Sequence, residues 1–293
     1  GDGRGEDGPA IEKALAAAAK ISGGAVVLFP RGNYRLTQTL RIPDGIVVTG
    51  ETRDTTFLLW ASAETPPDAL IEGYAHFAVE NLTIVAGRHY HVIHGGFPTR
   101  QRPRDGEDIA LRNLRIRALA FEGHPTEEDI AVWRRDAQAF ARAGVDTIGL
   151  AGENLVVENC DVLGTGRGLY LLRPRGARIE RNVLGNGRGG GYSISGADGV
   201  ILADNDILGS DLQATGGGVN TLFARVGYSV HVLARRNRFR SFFGWDREAM
   251  TTDGPGGFFY GRVAMAGERT LTLLGPPTDR YDYPDWRGGG ASP

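Results

Sequence analysis

Ala78-Val79-Glu80-Asn81, Val156-Val157-Glu158-Asn159, Ile179-Glu180-Arg181-Asn182 and Ile201-Leu202-Ala203-Asp204-Asn205 repeat one pattern, a β-rich run closing on asparagine. Leu111-Arg112-Asn113 and Leu233-Ala234-Arg235-Arg236-Asn237 complete the series, and successive asparagines lie 32, 46, 23, 23 and 32 residues apart. A unit near 23 residues therefore stands twice cleanly, once doubled and twice with an insertion. A period of this size marks a solenoid, whose coils bury an apolar face only by stacking on one another. Residues eleven places before Asn159, Asn182 and Asn205 are Ile148, Leu171 and Ile194, which predicts an apolar column through three coils. The asparagines are expected to form a column too, at a bend where side-chain amides bond neighbouring backbone or each other.

Composition agrees with a single elongated repeat domain over residues 1–293. Forty-four glycines without a three-residue period, beside 41% hydrophobic residues, exclude collagen and disorder and assign glycine to turns. Thirty-three basic against 35 acidic residues leave a charge of −2, so no net field draws the chain to nucleic acid. The one cysteine, Cys160, has no disulfide partner and sits where strand alternation makes it an inert wall thiol. No apolar run reaches eighteen residues, which argues against membrane insertion, and no signal peptide is present. The start at Gly-Asp-Gly reads as a processed or trimmed terminus, so secretion stays open.

Residues 9–21 form a helix in this reading: Ile11, Ala14, Leu15 and Ala18 follow i, i+3, i+4, i+7 spacing, with Asp7 or Gly8 as cap and Pro9 in the first turn. Ala25 to Phe29 reads as a buried strand, and short strands with tight turns follow without a linker. The stretch resembles the opening of right-handed parallel β-helix proteins of the pectate-lyase-like superfamily. That resemblance rests on Asp-x-x-Ala-Ile-x-x-Ala-Leu at Asp7 to Leu15, Gly-Gly-x-Val-x-x-x-Pro-x-Gly-x-Tyr at Gly23 to Tyr34, and Ile-Pro-x-Gly-x-x-x-x-Gly at Ile42 to Gly50. It implies an all-β, single-stranded right-handed parallel β-helix whose N-terminal helix caps the open end. It leaves activity open, because the superfamily holds hydrolases, lyases, epimerases and phage tail proteins. The Asn-Thr-Asp, Asp-Asp and Gly-His-Gly set of polygalacturonase-like hydrolases is absent, and Arg173-Pro174-Arg175 is only a fragment of the pectate-lyase arginine run.

Chemistry is expected where the repeat breaks. One break holds His89, His91 and His94, of which His89 and His91 would share a strand face; the spacing is no zinc signature, and neither a metal nor a cofactor is expected. A second, about 126–143, has Thr126 as N-cap and an Ile130, Trp133, Ala137, Phe140 stripe, a helical insertion. The densest polar and aromatic segment runs from Ser241 to Tyr260. There Asp246 and Glu248 lie two apart, on one face of a strand, and Asp253 returns across a turn. Paired carboxylates are what glycoside hydrolysis needs, one to protonate the leaving group and one to activate water or attack carbon. Trp245 and Tyr260 offer flat surfaces for a sugar, and Arg247 a hydroxyl or carboxylate contact.

On the regular coils Tyr170, Tyr192 and Arg173 join His91 as expected substrate contacts, and Asp146, level with Leu169 and Tyr192 in this alignment, is a fourth candidate catalytic carboxylate. A hairpin and Pro/Gly-rich tail, about 262–293, offer no obvious C-terminal cap, so the expectation is that either this tail covers the last coil or an additional chain or missing segment does. The functional expectation is a secreted or cell-envelope glycoside hydrolase acting on a polysaccharide or oligosaccharide. The alternatives are a lyase acting on a uronic-acid glycan and a non-catalytic carbohydrate-binding or tail-like solenoid.

Overall fold

A computed structural model of the chain describes residues 1–61, 63, 66–87, 89–118, 146–164, 167–186, 191–209, 224–227, 229–240, 251–254, 257–258, 263–266 and 271–273. Short parallel strands stack into a β-helix with three faces. The first face is a nine-stranded sheet that begins Asp2–Glu6, Gly32–Leu36, Thr56–Trp60, Thr83–Ala86 and ends at Arg238–Arg240. The other two faces are joined in one larger sheet because the Asp146–Glu153 and Arg167–Glu180 strands run across the corner between them. Each coil passes from the first face to a second, such as His91–Gly95, then to a third, such as Ile109–Arg112, and returns at Arg115–Ala118.

Two corners of the coil carry left-handed backbone, and only one of them was legible as a repeat. At the first, Gly45, His76, Asp108, Asn154, Gly176, Gly199 and His231 occupy successive levels, all with φ between 51° and 81°. Glycine, asparagine and aspartate take this conformation at least cost, which suits Gly45, Gly176 and Gly199 to the corner. At the second, Asn81, Asn113, Asn159, Arg181, Asp204 and Arg236 have φ of 53° to 58°.

The asparagine column is thus two columns. Asn113 Nδ2 donates to Asn81 Oδ1 at 2.9 Å and Asn159 Nδ2 to Asn113 Oδ1 at 3.2 Å along the outside of the corner. One residue further on, the interior column reads Thr56, Leu82, Leu114, Cys160, Asn182, Asn205 and Asn237. The amides therefore move from outside to inside between Asn159 and Asn182, where the spacing of equivalent positions is one less than that of the asparagines. In the interior Asn205 bonds Asn182, Asn237 and the Ile179 carbonyl and is 1% exposed. The apolar column shifts correspondingly: Ile148 pairs with Leu169, and it is Leu150 that pairs with Leu171 and, through it, Ile194.

The helix spans Gly8–Ala18, with Asp7 at its N-cap and Pro in its first turn. Ile11, Leu15 and Ala18 are buried with Phe29, Leu36, Leu40 and Ile42, so the helix closes the cross-section of the first coil. Its Asp7 carboxylate caps no helical amide but accepts Arg35 N at 2.9 Å, tying the cap to the first face. The Ala25–Phe29 strand is not buried on both sides as its composition suggests: Val26 and Leu28 are 64% and 58% exposed. An unbroken apolar run does not reveal that only alternate residues point inward. Cys160 is buried, and burial pushes its thiol up to about 12, which suits a wall residue. Near the C-terminus Val263–Ala266 pairs antiparallel with Leu271–Leu273, while the insertion 126–143 and the tail from 274 lie outside the described residues. No helix among the described residues is long and apolar enough to cross a membrane.

Candidate functional site

The second face holds the candidate site. Its outward positions run in register from Arg41 to Glu72, His94, Gly149 and Tyr170, and the column continues through Ser193, Arg225 and Thr251. Parallel strands put such neighbours about 4.8 Å apart, so side chains from sequence-distant strands form one floor. The segments 119–145, 210–223 and 241–250, which interrupt the repeat, each join the first face to a strand of this second face. Insertions separated by dozens of residues in sequence thus enter at one corner of the stack.

At the head of these strands alternation fails: Val92 and Ile93 are both fully buried, as are Thr147 and Ile148. In a regular strand residues three apart face opposite ways. Here the bend brings His91 and His94 together, with ring centroids 4.7 Å apart. His94 stacks on Phe97 at 4.1 Å and 8°, and Phe97 in turn lies 6.3 Å from Tyr170. Phe97 covers Gly149, whose missing side chain leaves the floor open for the ring. The pairing expected between His89 and His91 is replaced by this one; His89 is fully buried, with Nδ1 2.7 Å from the Gly87 carbonyl. Burial lowers both His89 and His94 to about 4, His94 also through the neighbouring His91, so both imidazoles are neutral near pH 7.

A loop, 96–105, walls one side. Gly96 starts it at φ 77°, where a Cβ would collide with the Ala151 carbonyl. Arg102 Nη1 reaches Asp44 Oδ1 and Oδ2 at 2.9 and 2.7 Å, its guanidinium sits 4.4 Å above the Tyr74 ring, and Tyr74 Oη donates to the Arg104 carbonyl at 2.7 Å. Arg173 grips Asp105 with two bonds of 2.7 and 2.6 Å. Between wall and floor opens a cleft of about 490 Å³ lined by Arg41, Asp44, Glu72, Tyr74, His94 and Phe97. A more polar hollow of about 550 Å³ lies beyond the loop, among Arg104, Asp105, Glu153 and Arg173.

The candidate residues distribute unevenly over this geometry. Tyr170 lies in the floor column, and His91 stands beside it with its ring against His94. Asp146 is in register with His91 and Arg167, not with Leu169 and Tyr192, because the coil between them is 21 residues long at that level. It is 3% exposed, and its Oδ2 lies 3.8 Å from His91 Nδ1. Tyr192 is corrected: it occupies the inward column after Ile148 and Leu169, is fully buried, and its hydroxyl has no hydrogen-bond partner among the described residues. Arg173 is a loop anchor in left-handed backbone at φ 46°. Asp253 is in register with Gly227 and, through it, Ser195, on the same face as the floor. Asp246, Glu248, Trp245, Arg247 and Tyr260 lie outside the described residues. Glu72, Phe97 and Arg41 were missed, since nothing local marks them; only the Gly95-Gly96-Phe97-Pro98 break hinted at a wall. Among the described residues no cluster of three or more His, Cys, Asp or Glu is placed to hold a metal.

Residues 1–80 match the family described as rhamnogalacturonase A/epimerase, pectate lyase-like. No curated protein sequence matches the chain. Among solved structures it is similar to the catalytic unit of a GH87 α-1,3-glucanase from Streptomyces thermodiastaticus, with a TM-score of 0.50 and 15% identity over 83% of this chain and 39% of that one. The Dettilon tailspike protein gives 0.49 and 14%, over 90% and 45%. The A-module of the Azotobacter vinelandii mannuronan C-5 epimerase AlgE4 gives 0.37 and 12%, over 86% and 88%. This chain therefore spans less than half the length of the glucanase and the tailspike. It has the pectate-lyase-like parallel β-helix fold.

Proposed function

We propose that the chain is a carbohydrate-active β-helix that lays a glycan along its second face and cleaves it as a glycoside hydrolase. One observation carries the reading: the interruptions of the repeat enter one corner, beside a floor of His94, Phe97 and Tyr170 flanked by the Arg41–Glu72 and Arg102–Asp44 pairs. Stacked rings accept the apolar face of a sugar and paired charges its hydroxyls. The carboxylates assigned to acid/base catalysis are Asp246 and Glu248, whose segment leads into Thr251–Gly254 of this same face, with Asp253 and Asp146 in support. Similarity to glucanase and tailspike structures supports the fold, and the family match over residues 1–80 is compatible with carbohydrate chemistry. Such a protein acts in a secreted or cell-envelope setting.

A second reading, a lyase on a uronic-acid glycan, is favoured by Tyr170, two strands beyond His94 in the same column, as the proton-abstracting group, and by Arg41 as a partner for a carboxylate. Incubation with a broad glycan panel separates them. New reducing ends without ultraviolet absorbance are expected; an unsaturated, absorbing product selects the lyase, and retention without turnover selects a binding solenoid.

Phe97→Ala removes a ring and keeps the loop's charged anchors. It is expected to weaken oligosaccharide retention about threefold to tenfold, with an unchanged melting temperature. Equal retention by the variant would move the glycan off this floor.

A further inference from the structure

We infer that the hollow beyond the 96–105 loop is an anchoring subsite for an anionic substituent of the glycan, a carboxylate or a sulfate ester, held by Arg104 and Arg175. That the ligand is a glycan rests on the reading above; the preference for an anion rests on the hollow itself. Arg102 and Arg104 flank Pro103, and the loop presents one to each side, Arg102 to the cleft and Arg104 to the hollow. Arg102 is committed to Asp44. The Arg104 guanidinium, by contrast, makes no hydrogen bond or ion pair among the described residues. Arg175 meets Glu153 through one bond of 3.3 Å, with 68% and 52% of the two side chains exposed, so most of its donors stay open.

The acids of the hollow are the groups already engaged. Arg173 Nε and Nη2 hold both oxygens of Asp105 at 2.7 and 2.6 Å, and Glu107 lies 3.3 Å from His76 Nε2. Arg173 does this from left-handed backbone, at φ 46°, in a corner where its neighbours along the stack are the left-handed Gly152 and Gly196. A side chain sits there at a cost that glycine avoids, and what it achieves is an Asp105 whose two oxygens are no longer open to Arg104. The Arg104 backbone is fixed as well, because Tyr74 Oη donates to its carbonyl at 2.7 Å and the gripped Asp105 follows it. Gly106 and Gly152 bring their backbones into contact at the wall, and about 550 Å³ stays open before them. A hollow rich in free donors, with its carboxylates engaged, recognises an anion rich in acceptors, and guanidinium forks match the paired oxygens of a carboxylate or sulfate. A glycan in the cleft reaches this anchor across the loop, so the anchor sets where the chain lies along the second face.

The test is equilibrium binding of three probes to the full chain: a uronic-acid tetrasaccharide, the same tetrasaccharide with its carboxyl groups reduced to alcohols, and a sulfated neutral tetrasaccharide. At least one anionic probe is expected to bind about tenfold more tightly than the reduced one, and to weaken as salt rises. Arg104→Gln and Arg175→Gln should each weaken that probe about threefold to tenfold and leave the reduced one unchanged. Both side chains are exposed, so the melting temperature should not move. Arg100→Gln, exposed on the same loop but outside the hollow, is the control and should bind every probe as the native chain does. The anionic probe that responds to both variants identifies the substituent. Equal binding of all three probes, an anion preference that persists in the Arg104→Gln/Arg175→Gln double variant, or an equal loss in Arg100→Gln would overturn the inference. Anion binding by a protein that turns over no glycan would retire the hydrolase proposal and leave the anchor standing; turnover without any anion preference would do the reverse.

Discussion

Asp246→Asn and Glu248→Gln are each expected to lower glycan turnover by about 10²–10⁴-fold, the range that one positioned acid or base contributes, with the β-helix still folded. Two residues apart in sequence, they precede a strand whose Thr251 continues the outward column of Arg225 and, through it, Ser193 and Tyr170. A polymer lying on the aromatic floor and running along the stack reaches that level three strands after Tyr170, about 14 Å at the usual strand spacing. Removing one oxygen's charge leaves shape and volume nearly intact, so the loss should fall on the catalytic rate while substrate retention persists. Rates near normal in both variants would shift the centre away from this segment, toward Asp253, Asp146 or the groove with Glu72 and His94.

The largest stability effect is expected in the interior amide column. Asn205→Ala removes the acceptor of the Asn182 backbone N–H at 3.0 Å and of its Nδ2 at 3.0 Å, and the donor to the Ile179 carbonyl at 2.8 Å and to Asn237 Oδ1 at 2.9 Å. Each buried polar group left unpaired costs about 1–3 kcal/mol, so a loss of at least about 3 kcal/mol is expected. Asn113→Ala, on the outer column, should cost only about 1–2 kcal/mol, chiefly for holding alanine in left-handed backbone. Urea midpoints of the two variants give the ranking. A smaller shift for Asn205→Ala than for Asn113→Ala would show that water replaces the interior bonds and that the column is not a stabilising spine.

The same column explains why the repeat was read one residue out of phase. Asparagine suits both places, outside because its amide tolerates left-handed backbone and inside because it bonds the carbonyls of the coil before it. A sequence alignment on asparagine therefore equates Asn159 with Asn182, whereas the backbone equates Asn159 with Arg181. On the second face the shortening is two residues, 21 in place of 23, which sets Asp146 level with Arg167 and not with Leu169 and Tyr192. One residue of register separates wall from interior in any strand.

What the sequence determined by itself was the solenoid and its N-terminal cap. Both depend on local composition: a recurring β-rich run with a turn residue, and an amphipathic helix carrying Ile11, Leu15 and Ala18 on one face. What only the tertiary structure decided was which residues meet across coils. Glu72, His94, Gly149 and Tyr170 are far apart in the chain and successive neighbours in the stack, and the approach of His91 to His94 leaves no mark in the order of residue types. Strand composition reports how much apolar surface must be buried; coil length and register, set by the summed closing of each turn, choose the neighbours.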